Sequence, residues 1–137
     1  MKKWYIVAIV VLIILVALVK LFRSSKSEEK GDATYKQISM EEAKKIFESD
    51  TDKTYIILDV RRADEFAQGH IPGAIHVANE SIHTQMPAEL PSKNQRIYVY
   101  CRSGNRSKQA AEKLVAMGYS NIVECGGFLD WTGEVEE

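Results

Sequence analysis

The chain has 137 residues, with 18 Lys and Arg against 19 Asp and Glu and a net charge of −1, which is enough for one small domain with a single core. Lys2, Lys3, Lys20 and Arg23 fall in the first 23 residues and no acid does, so the remainder carries 14 bases against 19 acids, a net of −5; with no basic stripe interleaved with aromatics, that balance argues against a nucleic-acid partner. Two cysteines are too few for a disulfide scaffold, and Cys101, Cys125, His70, His76 and His83 show no metal-ligand spacing, so neither a metal nor a resident cofactor is expected.

From Trp4 to Val19 the chain is uninterrupted apolar or aromatic, and Leu21 and Phe22 extend the run past Lys20. Roughly 19 helical residues nearly match a hydrocarbon core of about 30 Å. Lys20 can snorkel to one interface while Trp4 and Tyr5 suit the other. The run is long for a cleaved signal peptide and no small-residue cleavage site follows, so residues 1–23 read as one transmembrane anchor, with 4–22 in the membrane. Lys20, Arg23, Lys26 and Lys30 outnumber Lys2 and Lys3 and lean by a small margin toward a cytoplasmic body. Residues 24–36 form a polar linker, 37–133 the folded domain and 134–137 an acidic tail.

Within the domain, Ser39 and Glu42 spell a capping box that opens an amphipathic helix through Ala43, Ile46 and Phe47. The apolar run 54–60 suits a buried parallel strand. A short helix over 62–68 closes at Gly69, a second strand covers 74–77, and 80–90 reads as helical with Pro87 and Pro91 as punctuation. A third strand is expected at 96–100, a helix at 103–117 capped by Gly118, and a fourth strand at 121–124. Gly126 and Gly127 then turn the chain into a segment ending near Trp131. Strands alternating with helices imply a parallel α/β sheet, with ligands at the carboxyl ends of its strands.

The informative stretch runs from Tyr100 to Ser107. Cys101 follows a buried strand and precedes a helix, and Gly104 permits backbone conformations a β-carbon forbids. A loop wrapped this way aims N–H groups and a helix dipole at one point, and Arg102 and Arg106 add positive potential. Together they favour a Cys101 thiolate, the nucleophile of covalent catalysis. The bland alternative, an inert core cysteine, fits poorly with two arginines and a glycine within five residues.

Four segments in order resemble a single-domain rhodanese over about residues 36–132: Leu58-Asp59-Val60-Arg61, Glu65-Phe66 with Gly69-His70-Ile71-Pro72-Gly73-Ala74, Tyr100 through Ser107, and Gly126-Gly127-Phe128 with Trp131. The resemblance implies a rhodanese-like α/β fold, a parallel sheet flanked by helices on both faces. It also implies a sulfurtransferase that needs no cofactor. Cys101 would take the outer sulfur of a small anionic donor such as thiosulfate, release sulfite, and pass its persulfide sulfur to cyanide or an acceptor thiol. From Cys101 to Arg106 the loop spans six residues, C-x4-R; the related cell-cycle and tyrosine phosphatases have C-x5-R, sized for a phosphoryl group, so phosphatase or arsenate-reductase chemistry ranks well below sulfur transfer.

On the same resemblance, Arg102 and Arg106 bind the donor, unless one pairs with an acid instead, and Ser103, Gly104 and Asn105 contribute backbone N–H groups. Asp59 and Arg61 are supporting residues, Asp59 bonding to nearby backbone or to an arginine. Arg61 and Glu65, four apart, can pair across the short helix. His70 is a packed, hydrogen-bonded histidine and Trp131 is core. Cys125 is a small apolar residue at a strand end or a resolving thiol for Cys101. The rival readings are a persulfide-carrying or partner-docking module without turnover and a Cys101/Cys125 redox protein. The sequence names no protein partner.

Overall fold

A computed structural model describes residues 2–24 and 34–137, in two compact units, Met1–Asp32 and Ala33–Glu137. In the first, α1 (Lys2–Ser24) is one helix. Its segment Lys2–Val19 is long and apolar enough to cross a membrane and buries none of its residues in protein; a signal sequence meets the same criteria. The side chains of Lys20 and Arg23, together with Lys26, Lys30 and most of the polar linker, lie outside the described residues.

The second unit is built on a sheet in which β1 (Lys36–Gln37), β2 (Tyr55–Asp59), β3 (Ile75–His76), β4 (Arg96–Cys101) and β5 (Ile122–Gly127) lie in the order β1-β5-β4-β2-β3. All four pairings are parallel. A parallel sheet is stable when both faces are covered, and the alternation of β4 shows how. Ile97, Val99 and Cys101 enter one core with Ala110, Ala111, Leu114 and Val115 of α4 (Asn105–Ala116). Tyr98 and Tyr100 enter a second core with Met40 and Ala43 of α2 (Met40–Ser49). The capping box expected at the start of α2 forms: Glu42 N donates to Ser39 Oγ at 3.1 Å and Ser39 N donates to the Glu42 carboxylate at 3.0 Å.

Three expectations need correcting. Residues 80–90 are not a helix: a 3-10 turn at Asn79–Ser81 is followed by irregular chain. Ile82 and Leu90, both fully buried, pin that segment to the core. Their separation of eight residues, with exposed side chains and Pro87 between, offers no apolar helical stripe. The helix foreseen from 103 begins at Asn105, because Gly104 at φ 107° turns the chain first. The two polar residues of β1, which carry no strand pattern, pair with the edge of β5.

Beyond the end of β2 the chain is fixed by a buried ion pair. Arg61 N donates to Asp59 Oδ1 at 2.9 Å, and the Arg61 guanidinium donates to both carboxylate oxygens, at 2.7 Å from Nη2 to Oδ2. Arg61 Nη2 also donates to the Gly69 carbonyl at 2.6 Å, and the guanidinium carbon lies 4.4 Å from the Phe128 ring centroid. Asp59 is fully buried and Arg61 nearly so. Removing one partner strands the other charge, so Asp59→Ala should lose about 3–5 kcal/mol in urea denaturation, and Asp59→Leu combined with Arg61→Met should lose less than that single variant.

Candidate active site

The site forms where β4 passes into α4. The register of β4 against β5 shifts between Val99 and Cys101, so that Cys101 pairs with Gly127. Cys101 exposes none of its surface. The Gly104 N–H donates to Cys101 Sγ at 3.0 Å, and the Cys101 thiol donates to Ser107 Oγ at 3.4 Å. Sγ therefore sits at the N-terminus of a 12-residue helix, with the Gly104 N–H aimed at it, a setting suited to a negative sulfur.

The tightness of the loop depends on its neighbours. A β-carbon on Gly127 would stand 2.3 Å from the Arg102 carbonyl oxygen and 2.8 Å from Ser103 Cα. Just beyond, Leu129 N donates to that same carbonyl at 3.2 Å. The two loops thus press backbone against backbone, which only glycine allows.

A family model described as a rhodanese-like domain matches residues 39–134. The chain belongs to the rhodanese-like family. It is 35% identical over 101 residues to the "Putative sulfur carrier protein YrkF" of Bacillus subtilis, covering 73% of this chain and 52% of that one. It is 36% identical over 73 residues to the thiosulfate sulfurtransferase PspE of Escherichia coli, covering 53% and 70%. The chain spans about half the length of YrkF. A solved rhodanese-like domain protein from Staphylococcus aureus is 33% identical with a TM-score of 0.61, over 74% of this chain and 96% of that one.

The rhodanese loop gathers the residues singled out in the sequence in unequal ways. Gly104 and Cys101 are buried together, whereas the Arg102, Ser103 and Asn105 side chains are exposed. Arg106 makes a two-pronged contact with Glu65 of α3 (Ala63–Ala67), Nη1 to Oε2 at 2.7 Å and Nη2 to Oε1 at 3.1 Å. The Arg61–Glu65 pair suggested by spacing does not form. Arg61 precedes α3 and is drawn inward to Asp59, so the i,i+4 geometry of a helix does not apply to it. His70 is packed as expected, stacked on Phe66 at 3.7 Å between centroids, with Nδ1–H donating to the Phe66 carbonyl at 2.9 Å.

Cys125 lies in the core beside α2, and Cys101 in the core beside α4, so the sheet separates the two thiols. Burial, with a smaller contribution from the Glu124 charge, pushes the Cys125 thiol well above its usual range. A disulfide between them needs rearranged backbone.

Sequence reasoning missed two residues here. In the sequence Ser107 stands only within a motif, and Glu124 only at a strand end. Glu124 is buried on β5, where it accepts from Ser107 Oγ at 2.5 Å and from Gly126 N at 2.8 Å. A carboxylate inside the run Ile122-Val123-Glu124-Cys125 was the available signal, since a buried acid needs donors.

Two outcomes follow from this geometry. Hydrogen bonds from Arg106 hold the Glu65 carboxyl down to about 2, against the opposing effect of burial and helped by the Arg62 N–H. Glu65 therefore stabilises the fold above the ordinary carboxylate range and ceases to as pH falls toward 2. Acid titration followed by circular dichroism should show wild type losing up to ~3 kcal/mol through this window that Glu65→Gln does not lose. Gly127→Ala should cost about 1–3 kcal/mol in urea denaturation and displace the Arg102–Ser103 backbone, seen as changed amide shifts of the loop.

Proposed function

We propose that this chain is a sulfurtransferase that carries sulfane sulfur as a persulfide on Cys101. The carrying observation is the Gly104 N–H at 3.0 Å from a fully buried Cys101 Sγ at the N-terminus of α4. Cys101 thiolate attacks the outer sulfur of thiosulfate, the sulfur–sulfur bond of the donor breaks, and sulfite leaves with its electron pair. An acceptor thiolate or cyanide then takes the outer sulfur and returns the Cys101 thiolate. The loop backbone of Ser103, Gly104 and Asn105 holds the anionic sulfur. Arg102, exposed beside it, draws the donor to the site, while Arg106 is committed to Glu65 and shapes the rim. Asp59 and Arg61 support the loop from β2.

The domain is assigned to residues 37–133, carried by residues 4–22 as an uncleaved anchor with the domain on the cytoplasmic side. The length and apolarity of α1 support the anchor. Membrane tethering suits a donor or acceptor generated at the membrane surface.

A second reading is a sulfur carrier that loads once and hands over to a protein acceptor, supported by the likeness to YrkF. The Cys101/Cys125 redox reading is disfavoured by the sheet between the thiols.

The test is intact mass of the full chain in detergent micelles after thiosulfate, for wild type and Cys101→Ser, followed by cyanide. Wild type alone should gain one sulfur atom and lose it as thiocyanate. No gain on a reduced, alkylatable Cys101 would remove thiosulfate as the donor. Loading without repeated turnover would favour the carrier.

A further inference from the structure

Ser107 has one hydroxyl proton and more acceptors than it can serve. Its Oγ lies 2.5 Å from Glu124 Oε1, 2.9 Å from the Gly104 carbonyl, 3.4 Å from the Gly126 carbonyl and 3.4 Å from Cys101 Sγ. The shortest contact sends that proton to the Glu124 carboxylate, which leaves the oxygen free to accept from a Cys101 S–H. When Cys101 becomes a thiolate the direction has to reverse, because the sulfur then needs a donor.

Glu124 is nine-tenths or more buried and no lysine or arginine lies within ion-pair distance of it among the described residues. Its remaining contacts are the Gly126 N–H at 2.8 Å and the Gln37 side-chain amide at 3.4 Å. A thiolate and a carboxylate one hydroxyl apart, away from water, repel each other.

We infer that Glu124 is a positioning residue for the Cys101 proton: as the thiolate forms, the S–H proton passes to Ser107 Oγ while the Ser107 proton passes to Glu124 Oε1. The S–H bond breaks, an O–H bond forms on the carboxyl, and nothing is oxidised or reduced. A protonated Glu124 then donates to Ser107, and Ser107 donates to the sulfur. This inference rests on Cys101 being the reacting thiol of the proposed function, but not on thiosulfate being its donor.

The other groups facing the pair leave it the field at neutral pH. Tyr35, ahead of β1, is pushed up by burial and by the Glu112 and Glu124 charges. Cys125 is pushed up by burial. Arg106 is held charged by its bond to Glu65. Lys44 of α2 and Lys108 of α4 line the cavity that reaches Glu124 from the α2 side.

The test is the pH profile of Cys101 alkylation by iodoacetamide, read by peptide mass on the full chain in detergent micelles. While the pair carries one proton, its internal partition fixes the thiolate fraction. Wild type should therefore show a plateau, changing less than about twofold over a pH unit, whereas Glu124→Gln, which cannot take the proton, should rise about tenfold per pH unit across the same interval. Ser107→Thr should keep the plateau and Ser107→Ala should lower its rate at least about tenfold, which preserves the test if Glu124→Gln fails to fold. A single tenfold-per-unit rise in wild type, or a plateau that survives in Glu124→Gln, overturns the inference. Alkylation needs no sulfur donor, so a failed sulfur-loading experiment and a failed relay give different results.

Discussion

The carboxyl ends of the strands are assembled around the pairing of Asp59 with Arg61. The carboxylate sits at the end of β2 and accepts both the backbone N–H and the guanidinium of a residue two positions on, which fixes the turn leaving the strand. The guanidinium also donates to the Gly69 carbonyl, with its carbon 4.4 Å from the Phe128 ring centroid. Ile71 N in turn donates to the Tyr100 hydroxyl of β4. Four separate stretches of chain thereby meet around one buried charge pair. Burying both charges offsets most of their attraction, so the pair matters for the geometry it imposes more than for net stability.

Against that frame the Cys101 loop has little room to vary. Gly104 takes a backbone angle open mainly to glycine, and Gly127 lets β5 press against the Arg102 carbonyl. The result aims one N–H at one sulfur atom and leaves the cysteine without exposed surface. Close packing leaves the sulfur no surface of its own in contact with solvent. The Arg106–Glu65 contact ties the rim of the site to α3.

Much of this was legible in the sequence because the signals were local. The capping box at Ser39 and Glu42, the buried runs of β2 and β4, and the glycine after α4 each announce themselves within a few residues. What escaped depended on partners far along the chain. Residues 80–90 contain helix-forming residues but are held by Ile82 and Leu90, eight apart, plugging a core made elsewhere. Lys36 and Gln37 form a strand only because β5 offers a free edge. Glu65 finds Arg106 across 41 positions and Ser107 finds Glu124 across 17; no periodicity reports such pairs.

The two cysteines lie on opposite faces of a sheet one strand thick. A persulfide is vulnerable to any thiol within reach, which either takes the outer sulfur and releases the thiolate or attacks the inner sulfur, forming a disulfide and expelling hydrosulfide. Cys101 on β4 and Cys125 on β5 face different cores, so in the proposed mechanism Cys125 would be kept from a sulfur carried on Cys101. On that proposal the sheet would act as insulation around a reactive intermediate, preserving its cargo for an acceptor from outside.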